Sequence, residues 1–117
     1  MQDRIEVFRR IERQYFRDQL GPLGLQPVEA MIIRLLRRRG RLRQEDIVHR
    51  IVLDKGTVAR SVARLEKLGL VARSVSDQCR REKLVDLTPA GVEMVAKIQA
   101  VMDVWNDISY QGFTPEE

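Results

Sequence analysis

The feature that most constrains this 117-residue chain is a change of apolar period across Gly69. Before it, Val58, Val62, Leu65 and Leu68 recur at three- and four-residue steps, the spacing of one helical face. After it, Leu70-Val-Ala-Arg-Ser-Val75 and Lys83-Leu-Val-Asp-Leu87 alternate with period two, as antiparallel strands do, around the polar tip SDQCRRE. Gly69 suits the left-handed residue that closes a helix, and Leu70 beyond it is placed to pack back on the last turn. Asp54 suits the other end, where its carboxylate can accept from the free amides of Gly56 or Thr57. A capped helix running straight into a hairpin leaves few folds open.

The rest of the chain reads as helix. Ile5, Phe8, Ile11 and Tyr15 mark a first helix over Asp3 to Leu20, ended by Gly21, Pro22 and Gly24. Pro27 opens a second, with Val28, Met31, Ile32, Leu35 and Leu36 as its buried face and Arg39-Gly40 as its end. A short third runs from about Gln44 to Ile51 with Ile47 and Ile51 inward, and only Val52, Leu53 and Asp54 separate it from the fourth. Thr88-Pro89 starts a long last helix through Trp105 towards Ile108. The expected fold is mainly α with a small β-hairpin wing, a winged helix-turn-helix with flanking dimerisation helices. Residues 21–88 form the winged part, and residues 1–20 and 89–117 the helices.

Composition narrows the function classes. The chain is 44% apolar and 32% charged with a net charge of +4, values of a folded protein and not of a disordered one. Charged residues interrupt every apolar run before the roughly 18 residues a membrane span needs, so no membrane partner is expected. One Cys and one His exclude a disulfide framework, most metal sites and most nucleophile–base pairs, so an enzyme, a cofactor and a metal are not expected. The reading is a cytoplasmic binding protein.

The charge is unevenly placed. Arg34 to Lys83 carries fifteen basic and six acidic residues, whereas Leu84 to Glu117 carries one Lys and six acids. A basic middle suits a polyanion. On a wheel of about 100° per residue, the fourth helix shows Gly56, Arg60, Ala63, Arg64 and Lys67 opposite its core, flanked by Thr57 and Ser61. Small residues allow close approach, hydroxyls bond bases or phosphates, and Arg forks onto guanine, which is the chemistry of a major-groove helix. Arg80 and Arg81 at the hairpin tip, with Arg73 on its strand, can reach a minor groove or its phosphates. Arg43, Gln44 and Lys55 complete the candidate DNA-binding set; Arg41 or Arg43 can touch phosphate near the start of the third helix, while the others of the run RLLRRRGRLR are equally a solvated helix end.

With these residues in place, the chain resembles the MarR family of bacterial transcription regulators. DKGTVARSVARLEKLGLVARS is similar to that family's recognition helix and first wing strand, and RREKLVDLTPAG to its second wing strand and the start of its long helix. The resemblance covers roughly Leu23 to Glu93. It implies a homodimer on a pseudopalindromic double-stranded DNA operator, usually repressing and usually released by a small-molecule effector. By position, Thr57, Arg60 and Arg64 would face bases or phosphates, and Arg81 would match the arginine of the family's Asp-x-Arg wing motif. Three positions depart from the pattern: Cys79 replaces the Asp of that motif, leaving Asp77 as the alternative partner of Arg81; Val52 stands where the turn commonly has Gly; and Val48 stands where Ala is frequent. These departures motivate a second reading, a winged-helix protein-interaction module that has lost DNA binding.

The last helix carries a second apolar stripe, Met94, Ile98, Val101, Trp105 and Ile108, at heptad-like steps. With Ile5, Phe8 and Ile11 of the first helix it is the expected dimer interface, unless the first helix of the same chain covers it. An effector pocket is implied near Tyr15, Phe16, Met31 and the end of the last helix, with no ligand identified. The sequence closes on Phe113-Thr-Pro-Glu-Glu117, another helix-start signal without a helix, so a final dimerisation helix is expected to be missing.

Overall fold

Helix gives way to sheet through a six-residue closure at Gly69. The computed structural model describes residues 2–78 and 81–112. Its elements are α1 (Gln2–Leu20), a single 3-10 turn (Gly21–Leu23), α2 (Pro27–Arg39), β1 (Leu42–Arg43), α3 (Gln44–Ile51), α4 (Lys55–Lys67), β2 (Val71–Val75), β3 (Lys83–Leu87) and α5 (Pro89–Gly112). At the end of α4, the Leu70 amide donates to the Leu65 carbonyl at 3.0 Å and the Gly69 amide to the Glu66 carbonyl at 3.0 Å. With Gly69 at φ 79°, this pair of hydrogen bonds is the left-handed closure the glycine predicts. At the other end of α4, the Asp54 carboxylate accepts from the Thr57 amide at 3.2 Å.

The chain divides into two compact units, one of Val28–Ala96 and one in which the residues up to Pro27 join those from Lys97 onward. The first unit is the winged helix. Ile32, Ile33, Leu36, Ile47, Val58, Val62, Leu65 and Val85 are fully buried in it. Its sheet has three strands in the order β1-β3-β2, all antiparallel, with Val71 opposite Leu87 and Val75 opposite Lys83. The sequence predicts only the hairpin. β1 adds Leu42 opposite Val85 and Arg43 opposite Leu84, and two residues are too few to show a period.

Four positions around this core differ from expectation. Met31 is exposed and Glu29, one helical turn from Ile32 and Ile33, is buried instead. Leu68 caps α4 and is exposed, because the helix stops before its side chain reaches the core stripe. Ser61, expected beside the DNA-facing stripe, is buried on the core side of α4.

Thr88 and Gly91 fix the start of α5. The Thr88 hydroxyl donates to the Gly69 carbonyl at 2.6 Å and accepts from the Gly91 amide at 3.1 Å, while the Thr88 amide donates to the Leu70 carbonyl at 3.1 Å. A Cβ at Gly91 would lie 2.1 Å from that Leu70 carbonyl oxygen, so only glycine lets helix and wing strand approach this closely.

The other unit is organised on Trp105. Its ring lies 5.6, 5.0 and 5.8 Å from those of Phe8, Tyr15 and Phe16, and its indole N–H donates to Glu12 at 3.1 Å. The Tyr15 hydroxyl donates to the Val101 carbonyl at 3.2 Å. Burial raises the Tyr15 phenol above its ordinary pKa. Trp105 and Ile98, expected on an exposed seam, are therefore buried inside the chain, Trp105 under α1. Exposed apolar residues remain at Ile5, Val7 and Ile11 on α1 and at Val104 and Ile108 on α5. Phe113 to Glu117 lie outside the described residues.

Candidate nucleic-acid interface

The helix-turn-helix is built from α3 and α4, joined through a strained residue. Val52 closes α3 at φ 61°, ψ 49°, the left-handed region that a β-branched side chain resists, and its amide donates to the Val48 carbonyl at 3.0 Å. Val52, standing where the family's turn commonly has Gly, adopts the conformation that glycine would take without strain. Val52 itself is 83% exposed, so burial does not offset the strain.

The N-terminal ends of α3 and α4 and the tip end of the wing enclose a groove of about 440 Å³. Arg43, Gln44, Lys55 and Arg81, all candidates from sequence, line it together with Glu45, Val48, Glu82 and Lys83. Gln44 directs a buried side-chain oxygen that has no hydrogen-bond partner among the described residues. Lys83 and Glu82 were missed because strand and wing-tip residues carry no signal for which side of a groove they line.

The basic residues fall into two classes. Three candidate arginines are braced by carboxylates on other turns or elements. Arg43 bonds Asp46 at 3.0 Å and Glu82 at 3.2 Å, which raises its already high pKa and lowers that of Asp46. Arg73 of β2 bonds Glu66 of α4 at 2.9 Å, lowering the Glu66 pKa through that hydrogen bond. Arg64 bonds Glu29 of α2, whose side chain is 1% exposed. Arg64 thus lies on the α2 flank of the recognition helix and not opposite the core, as the wheel had suggested.

The second class stands towards solvent. Lys55, Arg60, Lys67 and Arg81 are exposed, and Arg60 donates to the Thr57 hydroxyl at 3.3 Å. The Arg60 guanidinium lies over Gly56, 3.2 Å from where a Cβ would stand, so the space left by the glycine is filled from within. Thr57 and Gly56 are half-buried. Arg81 forms no ion pair with Asp77 or any other described residue. Cys79 and Arg80 lie outside the described residues.

Residues 25–91 match the winged helix DNA-binding domain family. The crystal structure of MarR superposes with a TM-score of 0.87 at 26% identity, covering 100% of this chain and 80% of that one. This chain belongs to the MarR family of winged-helix transcription regulators. The MarR-type chain is also 33% identical over 100 residues to YwoH of Bacillus subtilis, an uncharacterized HTH-type transcriptional regulator, covering 86% of this chain and 72% of the relative. It is 28% identical over 94 residues to YkoM of the same organism, of the same description, with 80% of this chain matched. The match spans 61% of the length of YkoM, about three-fifths. Both relatives are described as HTH-type transcriptional regulators. No helix among the described residues of this MarR-type chain is long and apolar enough to cross a membrane.

Proposed function

We propose that this MarR-type chain acts in the cytoplasm as a homodimeric, sequence-specific repressor on a pseudopalindromic operator. α4 lies in the major groove and Arg81, with Arg80, reaches the minor groove or its phosphates. The observation that carries this reading is the groove shared by α3, α4 and the wing, where Lys55, Arg81 and Lys83 stand around Gln44 and an Arg43 already held by Asp46 and Glu82. Two helix N-termini, and a lining whose cations outnumber Glu45 and Glu82, favour phosphate there, and the exposed Arg60 and Lys67 continue the positive face along α4.

Among the arginines singled out from sequence, Arg60 and Arg81 are the readers; Arg43, Arg64 and Arg73 hold the frame. The dimer is proposed to use the apolar residues still exposed, Val7 and Ile11 on α1 with Val104 and Ile108 on α5. Release by a small effector follows from the family resemblance. The alternative, an interaction module without DNA binding, has no reason to keep this cationic face.

Selection of bound sequences from random duplex DNA tests the reading. The expected result is an enriched inverted repeat with half-site centres about one helical turn apart, ~10 bp. Absence of any enriched sequence would contradict it. Sedimentation at several concentrations tests the dimer, which Ile11→Asp should shift towards monomer.

A further inference from the structure

A second basic surface lies away from the groove at the wing. Arg37, Arg38 and Arg39 fill the last turn of α2, Arg41 follows, and Arg50 stands on the last turn of α3; all five are exposed. Leu35, Arg38, Arg39 and Arg50 line a concavity of about 500 Å³ and share no residue with the groove at the wing. None of the five arginines forms an ion pair or a side-chain hydrogen bond with a described residue, and Arg50 exerts only a Coulombic pull on Asp46.

This contrasts with Arg43, Arg64 and Arg73, which each hold a carboxylate. Cations in the last turns of α2 and α3 complement the negative ends of those two helices, but neither helix end by itself requires that Arg50 of α3 join Arg38 and Arg39 of α2 around one concavity. Guanidinium groups gathered beside Leu35, none of them ion-paired with a described residue, match the forked geometry of phosphate oxygens.

We infer that this surface binds the phosphate backbone of duplex DNA outside the stretch met by α4, so that the protein grips a longer segment than it reads. The inference rests on the DNA-binding reading above. Its partner is the backbone, so the contact carries no sequence preference of its own.

The test compares wild type, Arg38→Gln/Arg39→Gln and Arg38→Lys/Arg39→Lys, with folding checked by circular dichroism. Each is titrated over a range of salt against a duplex of about 20 bp, two turns, and one of about 40 bp, both carrying the selected sequence. On the longer duplex the Gln variant should lose about 1.8 from the slope of log K against log salt, ~0.9 per phosphate contact, which for equal affinity at about 1 M salt is roughly sixty-fold weaker binding near 0.1 M. On the shorter duplex it should match wild type, and the Lys variant should keep the wild-type slope on both. An unchanged slope on the longer duplex, or an equal loss on both, overturns the inference while leaving the proposed function intact. Failure of wild type to bind either duplex in a salt-dependent way overturns both.

Discussion

Replacing Val52 by glycine should stabilise the protein. Val52 holds φ 61°, ψ 49° at the junction of α3 and α4. A left-handed conformation costs an L-residue about 1–2 kcal/mol, and β-branching places valine at the upper end. The side chain is 83% exposed, so its removal forfeits almost no burial. Glycine adds back about 0.5–1 kcal/mol through the greater entropy of the unfolded chain. The balance is a gain of about 1 kcal/mol, a rise in Tm of roughly 3–4 °C for a chain of this size. Thermal unfolding followed by circular dichroism reads this directly, with Val52→Ala as the comparison. Alanine removes the branch but keeps a Cβ, so it should fall between wild type and glycine. A Tm for Val52→Gly at or below that of wild type, or an alanine variant as stable as the glycine one, would refute the reasoning.

Gly91→Ala should act in the opposite direction, by about 2 kcal/mol or more, because its Cβ would meet the Leu70 carbonyl 2.1 Å away; an unchanged Tm would mean that α5 and the wing strand are not so close. Arg64→Ala should cost about 2 kcal/mol in denaturant unfolding by taking a guanidinium from the buried Glu29 carboxylate, while leaving the salt dependence of DNA binding near wild type. Asp46, Asp54 and Glu66 have pKa values lowered chiefly by the hydrogen bonds from Arg43, Thr57 and Arg73, so each favours the folded state when ionised. Their contribution is complete above the ordinary carboxylate range and is lost on acidification, so stability should hold from neutral to about pH 5 and fall below about pH 4. A stability that rises below that range would contradict these pairings.

The order of elements was legible because each was announced locally. Asp54 and Gly69 start and end α4 through bonds within a few residues of themselves, and the Thr88 hydroxyl starts α5 by accepting from the Gly91 amide. β1 was not legible, since its two residues become a strand only by pairing with Val85 and Leu84 about forty positions on. The candidate site was legible as a set of cations but not in its division of labour. Arg64 and Arg60 look alike on a helical wheel, and what separates them is Glu29, 35 residues away. A buried carboxylate reads as a surface residue until its partner is known. Trp105 was legible as part of a helical stripe, yet whether α1 or a second copy covers it is decided by tertiary packing alone.

Titration of a fluorescently labelled duplex over a range of salt, for wild type and for Lys55→Gln/Arg81→Gln, tests the central claim most directly. The account predicts a steep linear fall of log K with log salt for wild type, and a slope shallower by about 1.8 for the double variant at unchanged Tm. A wild-type affinity that does not depend on salt, or a double variant with the wild-type slope, would contradict it.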